Sequence, residues 1–227
     1  MSRTPEPRKR PIAAPPHPPL RRTQASRSAA TRTRILEAAA GLVRLRGFDG
    51  FATEEIAQRA GVSRGAQRHH FPTKKALVIA TLEHLRDEMV ARAQRRIRAS
   101  RNAGKILDHV IDDALEFFFG DFFFMTTSIL VSDERNGALH DAARDMMRES
   151  RVRVERAWSA RLAQAGLPKA LAGDILGLTL GVVRGFAVRK LILDEPVRRQ
   201  QLLRVWREMA REYLRARLPA AACDAVL

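Results

Sequence analysis

Arg64 and Gln67 are side chains able to read base edges in a DNA major groove, arginine pairing with guanine and glutamine with adenine through two hydrogen bonds each. They stand beside Ser63 and Gly65 at the start of a short predicted helix, where a duplex-reading protein presents its specific residues. Just beyond them lie Arg68, His69, His70 and Lys74, groups that suit bases or phosphate oxygens. A second constellation, His140-Asp141 with His109 upstream, has the residue types of an all-helical metal phosphohydrolase. It lacks the surrounding metal-ligand pattern, and a solvated helix start accounts for it. Cys223 is the only cysteine, so the chain forms no internal disulfide and no multi-cysteine zinc site. No Ser/His/Asp arrangement, Walker loop or dinucleotide fingerprint stands out. The sequence reads as a non-enzyme with no cofactor and no metal.

Positioning these residues requires helices. From Thr31, Ile35, Leu36, Ala39, Leu42, Val43 and Leu45 recur at helical spacing, and Gly47 supplies a stop. Thr53 is placed to cap a short second helix with Glu54 and Glu55 in its first turn, favourable at the positive end of the dipole. Gly61 allows a tight turn, Val62 plugs the core, and Ser63 caps a third helix running to about His70. Pro72 ends it, and Thr73 caps a long fourth helix over about 74–100, broken at Asn102-Ala103-Gly104. A fifth follows to about Phe119, then an apolar segment over 121–131 and a long seventh helix over 137–165. An eighth spans 169–193, and Pro196 opens a ninth that ends near Leu218. No run alternates polar with β-branched residues. The expected fold is all-α, of about nine helices: a three-helix unit with a helix-turn-helix, joined to a larger helical region.

Charge locates the polyanion-facing end. The chain of 227 residues carries +16 overall; residues 1–34 supply +8 and residues 35–75 a further +3, leaving +5 for the other 152. Residues 1–30, with prolines at 5, 7, 11, 15, 16, 18 and 19, read as a disordered basic tail able to strengthen DNA binding by counterion release. No apolar stretch follows the basic start, which excludes a secretory signal. The longest apolar run, about 170–193, contains Asp174, Arg184, Arg189 and Lys190, which argues against a membrane span. A cytoplasmic protein without a membrane partner is expected.

The segment TRTRILEAAAGLVRLRGFDGFATEEIAQRAGVSRGAQRHHFPTKKALV, residues 31–78, resembles the DNA-binding domain of TetR/AcrR-family regulators. The matching features are Ile35-Leu36 with Ala38-Ala39, Gly47-Phe48, Thr53 with Ile56-Ala57 and Ala60-Gly61-Val62-Ser63, Gly65, and His69-His70-Phe71 with Lys74 and Leu77. The resemblance implies phosphate contacts from Thr53, His70 and Lys74, and base contacts from Arg64, Gly65 and His69. Gln67 departs from the pattern, standing where an apolar residue is common. Arg68 stands where tyrosine is common, and a charged group there would steepen salt dependence.

The resemblance also implies that residues 79–218 form an effector-binding and dimerisation domain, followed by a tail over 219–227. Six phenylalanines fall within residues 117–124, beside Ile111, Leu115, Ile129 and Leu130. Such a cluster is core in most proteins; in this family the corresponding helices surround a ligand cavity. Phe118, Phe122, Met125, Met146 and Trp158 are the expected pocket residues, for an unidentified small apolar or aromatic effector. Gly173, Gly177, Gly181 and Gly185 form a stripe on the eighth helix, each costing roughly 0.8–1 kcal/mol against alanine. Close helix approach across a homodimer would offset that cost; the alternative is that the stripe packs within one subunit or shapes the ligand cavity. Ile175, Leu178, Val182, Phe186, Trp206, Met209 and Tyr213 are the expected dimer contacts. The reading is a sequence-specific regulator of operator DNA, a repressor released by its effector. Its competitors are a ligand-responsive activator and a non-specific basic nucleic-acid binder driven by the tail.

Overall fold

A computed structural model describes residues 24–48, 50–101, 105–132 and 137–227. These residues form ten helices and no strand: α1 Gln24–Arg46, α2 Thr53–Arg59, α3 Arg64–His70, α4 Lys74–Ala99, α5 Ile106–Phe118, α6 Asp121–Val131, α7 Ala138–Gln164, α8 Lys169–Lys190, α9 Pro196–Arg215 and α10 Ala220–Val226. The all-α expectation holds.

The first three helices meet over a core of Ile35, Leu36, Ala39, Leu42, Ile56 and Phe71, all buried. Gly61, at φ +64°, turns the chain between α2 and α3, a conformation in which a Cβ is strained. Val62 packs partly buried against the core from that turn. Two caps act as the sequence suggests. Ser63 Oγ accepts from the Ala66 amide at 3.1 Å and Thr73 Oγ1 from the Ala76 amide at 3.0 Å. Each satisfies one otherwise orphaned amide and contributes about 1 kcal/mol.

α4 belongs to both halves. Leu77 and Val78 enter the small core, while Leu82, Leu85, Met89 and Ala93 are buried further along the same helix. It packs against α7, α5 and α6, and α5 lies along α8. Ion pairs tie these layers: Glu116 of α5 meets Arg92 and Arg96 of α4 at 2.6 Å each, and Asp108 meets Arg207 and Arg211 of α9 at 3.1 and 2.8 Å. Arg44 of α1 pairs with Asp121 at the start of α6, a direct link between the two halves. By length and hydropathy α8 could cross a membrane, but Leu171, Ala172, Ile175, Leu176, Val183 and Ala187 are buried against the rest of the fold. It is a core helix.

Four boundaries differ from expectation. α1 begins at Gln24, seven residues before Thr31, so 24–30 are helix; the remainder of the expected tail, 1–23, lies outside the described residues. Thr53 is the first residue of α2 and not its cap; Ala52 holds that place, with no side-chain hydrogen bond. α8 stops at Lys190, and Leu191 and Ile192 form a turn. The C-terminal tail is a tenth helix, with Val226 buried and Ala222 against Gly166. The expected break at Asn102-Ala103-Gly104 also lies outside the described residues.

Candidate nucleic-acid interface

The Ser63 cap and the Gly61 turn set α3 at an angle to α2 and leave its first turn on the surface. Ser63, Arg64, Gly65, Arg68 and His69 are exposed, as is Lys74 at the start of α4. Thr53 and His70 are half-buried beside them. Arg64, Arg68, Lys74 and Thr53 line one hollow of about 540 Å³ with Glu54 and Gln67. Eight of the nine predicted DNA-contacting residues are therefore at least partly accessible in one neighbourhood.

Gln67 is the exception. It is only 6% exposed and backs α3 against the core, in the place where an apolar residue is common. Its burial separates it from Arg64, which is 73% exposed by side chain. Of the two base-reading candidates, only Arg64 stands out from the surface.

Arg64 is held by an acid that sequence reasoning did not single out. Glu54 of α2 lies 3.0 Å from its guanidinium, and both side chains are exposed. Such an exposed pair contributes little to stability. In the sequence Glu54 reads only as an acid in the first turn of a helix, because its partner lies across the helix-turn-helix. Glu55, next to it, pairs instead with Arg46 and Arg59 at 2.7 and 2.8 Å and joins α2 to α1.

Gly65 shows room where an alanine methyl would stand. The nearest atom to a built Cβ is Ser63 Oγ at 3.8 Å, an ordinary contact. No intrachain contact requires glycine here. His69 and His70 meet edge to face at 5.5 Å, and Arg32 of α1 stacks 5.4 Å from the Phe71 ring. Burial, then the neighbouring His69 and Arg32, holds the His70 imidazole below its ordinary pKa and favours its neutral form.

In the larger half, Phe118, Phe122, Met125, Met146 and Trp158 are all buried in one continuous core. The rings of Phe117, Phe118 and Phe123 interlock at 4.9–5.8 Å. Trp158 Nε1 donates to Asp113 Oδ2 at 2.9 Å. Burial pushes the Asp113 carboxyl above the usual carboxylate range, against the pull of Trp158 and Arg151. Asp113 and Arg151 escaped sequence reasoning, although each is a charge on an otherwise apolar helix face.

The predicted dimer residues divide three ways. Leu178, Met209 and Tyr213 are exposed; Val182, Phe186 and Trp206 are half-buried; Ile175 is 2% exposed and faces the subunit's own core. A Cβ built on Gly173, Gly177, Gly181 or Gly185 meets nothing within 4 Å. Packing inside the subunit therefore gives no reason for the glycine stripe. His140 and Asp141 open α7, and no group of three His, Cys, Asp or Glu able to hold a metal occurs among the described residues.

Residues 35–81 match the model of bacterial regulatory proteins of the tetR family. The HTH-type transcriptional regulator CymR of Pseudomonas putida is 37% identical over 194 residues, covering 86% of this chain and 96% of that protein. A solved transcriptional regulator from Rhodococcus sp. Rha1 superposes with TM-score 0.59 at 22% identity, covering 80% of this chain and 96% of the other. The multidrug binding protein EbrR, solved with imidazole, superposes with TM-score 0.51 at 23% identity, covering 86% and 95%. The helix-turn-helix geometry, the family match and the full-length likeness to CymR together make this chain a member of the TetR family, a DNA-binding transcriptional regulator and not an enzyme.

Proposed function

We propose that the chain represses transcription as a homodimer, and that a small apolar or aromatic molecule bound in its larger half releases it from operator DNA. The observation that carries this reading is the continuity of α4, whose first residue is the accessible Lys74 and whose buried side joins the aromatic region. A ligand that prefers one placement of α4 shifts operator affinity by its differential binding to the two placements.

The homodimer reading draws on exposed apolar groups at Leu178, Val188, Val205, Met209 and Tyr213 and on the uncovered glycines of α8. Two recognition helices would then meet successive major grooves about 34–36 Å apart. The expected setting is the cytoplasm, on the nucleoid. Repression follows if the operator overlaps a promoter; placed upstream, the same contacts would activate.

Footprinting on DNA upstream of the chain's own gene tests the reading, with Kd measured at fixed salt against unrelated duplex. A two-fold symmetric footprint and a large preference over unrelated duplex are expected. Equal affinity for both DNAs would leave only charge-driven binding and refute it.

A further inference from the structure

Glu54 stands on the surface expected to meet DNA and carries the wrong charge for it. Its side chain is 68% exposed, against 24% for Glu55 beside it. Glu55 is committed to the fold, bridging Arg46 of α1 and Arg59 of α2. Glu54 makes no such link; among the described residues the cation paired with it is Arg64, across the helix-turn-helix. The dipole of α2 favours an acid in its first turn, yet Glu55 already stands there. Neither packing nor helix electrostatics requires a second carboxylate at this place.

Its surroundings are basic. Arg64, Arg68 and Lys74 line the hollow formed by α2, α3 and the start of α4, and Glu54 is the acid among the residues lining it. A phosphate brought to Arg64 therefore also approaches Glu54, and the two anions repel. The nearest approach of the pair is Nη2 of Arg64 to Oε2 of Glu54, at 3.0 Å. A guanidinium carries several donors in a planar fork, so a carboxylate on one edge leaves another edge for the O6 and N7 acceptors of a guanine. The guanine edge has no net charge and shares Arg64 with the carboxylate. A phosphate has to compete with it.

We infer that Glu54 is a specificity-determining residue: paired with Arg64, it withholds that arginine from phosphates and leaves it able to read a guanine. Binding to unrelated duplex draws on phosphate contacts, whereas operator preference draws on base edges. Glu54 thus weakens unrelated duplex more than operator, and specificity is gained by disfavouring the wrong partner. The inference rests on α3 being the DNA-reading helix, and it adds a residue that the sequence pattern did not mark.

The size of the effect follows from counterion release. Freeing Arg64 for one phosphate changes the slope of log K against log salt by about −0.9. With about 1 M salt as the reference at which this contribution vanishes, binding at about 0.1 M tightens roughly eightfold per chain.

The test compares the full chain with its Glu54→Gln variant by fluorescence anisotropy over a salt series. The probes are the duplex footprinted upstream of the chain's own gene and a random-sequence duplex of equal length. In Glu54→Gln the random duplex should bind about eightfold tighter per chain, with a slope steeper by about 0.9, and preference for the footprinted duplex should fall at least about threefold. In an Arg64→Gln background, adding Glu54→Gln should leave random-duplex affinity within about twofold, because the arginine to be released is gone. Equal tightening on both duplexes makes Glu54 a general charge and overturns the proposal, as does unchanged affinity on both. A gain on the random duplex that persists without Arg64 assigns the effect to Glu54 acting alone and also overturns it. With the wild-type preference intact, each of these results sinks the role of Glu54 and spares the operator reading. A wild-type chain that prefers neither duplex overturns both.

Discussion

Gly65→Ala separates the two halves of the recognition-helix argument, because the fold and the DNA should respond in opposite directions. On the fold side, the new methyl sits 3.8 Å from Ser63 Oγ and touches nothing else, and Gly65 lies outside the left-handed region. Alanine therefore gains helix propensity, up to about 0.8–1 kcal/mol and less in a first turn. For a chain of this size that raises Tm by at most about 2–4 °C. On the DNA side, the methyl would enter the surface that α3 is proposed to present to the major groove, and close approach is the remaining reason for glycine there. A loss of about 1.4 kcal/mol per half-site is tenfold in Kd, and two half-sites give about a hundredfold. Calorimetric melting gives the first quantity; fluorescence anisotropy on operator and on unrelated duplex at one salt concentration gives the second. Wild-type operator affinity in Gly65→Ala would refute the close-approach argument. A fall in Tm would refute the steric picture of the free helix.

Other outcomes follow from single contacts. Ser63→Ala deprives the Ala66 amide of its acceptor, and should cost about 1 kcal/mol in denaturant unfolding while weakening operator binding. His70 has a folded-state pKa below its ordinary 6.5, so the unfolded chain binds the proton more readily. Its stabilising contribution is complete above about pH 6.5 and is lost as pH falls below that; His70→Gln should flatten this part of the stability–pH curve. Removing residues 1–23 takes away six Lys/Arg, and should shallow the dependence of log Kd on log salt while preserving operator preference. Asp121→Asn breaks the exposed pair with Arg44 that joins α1 to α6, and should change stability by less than about 1 kcal/mol. Its larger effect should be on the ratio of operator affinities with and without effector, measured in one titration series.

What the sequence disclosed depended on how much of each element is buried. The helix-turn-helix was legible because its signals are local: Gly61 must turn, Ser63 must cap, and Ile56 and Ala57 must face inward. The start of α1 was not, since residues 24–30 are all exposed and present no apolar period to read. The Ala-rich α10 likewise looks like a tail until Val226 is seen in the core. Within the site, Arg64 and Gln67 have similar chemistry on paper, and only the orientation of α3 separates an exposed arginine from a buried glutamine. The ion pair of Arg64 with Glu54 and the burial of Arg151 depend on tertiary proximity, which spacing along the chain does not encode. Ile175 illustrates the same limit: apolar spacing on α8 marks two sides of one helix without saying which meets a partner and which meets the subunit's own core.

α4 has no glycine or proline among its 26 residues, and at about 1.5 Å per residue it is a rod roughly 39 Å long. Such a rod converts small angles into large displacements. A tilt of about 5° about its far end carries Lys74 sideways by roughly 3 Å at that length, comparable to the rise of one base pair. If an effector binds the larger half as proposed, that half need not change shape visibly to misalign the helix-turn-helix. A rearrangement of well under an ångström near Ala99 would be multiplied before it reached α3, and the sensitivity of the switch would be set by helix length as much as by ligand affinity.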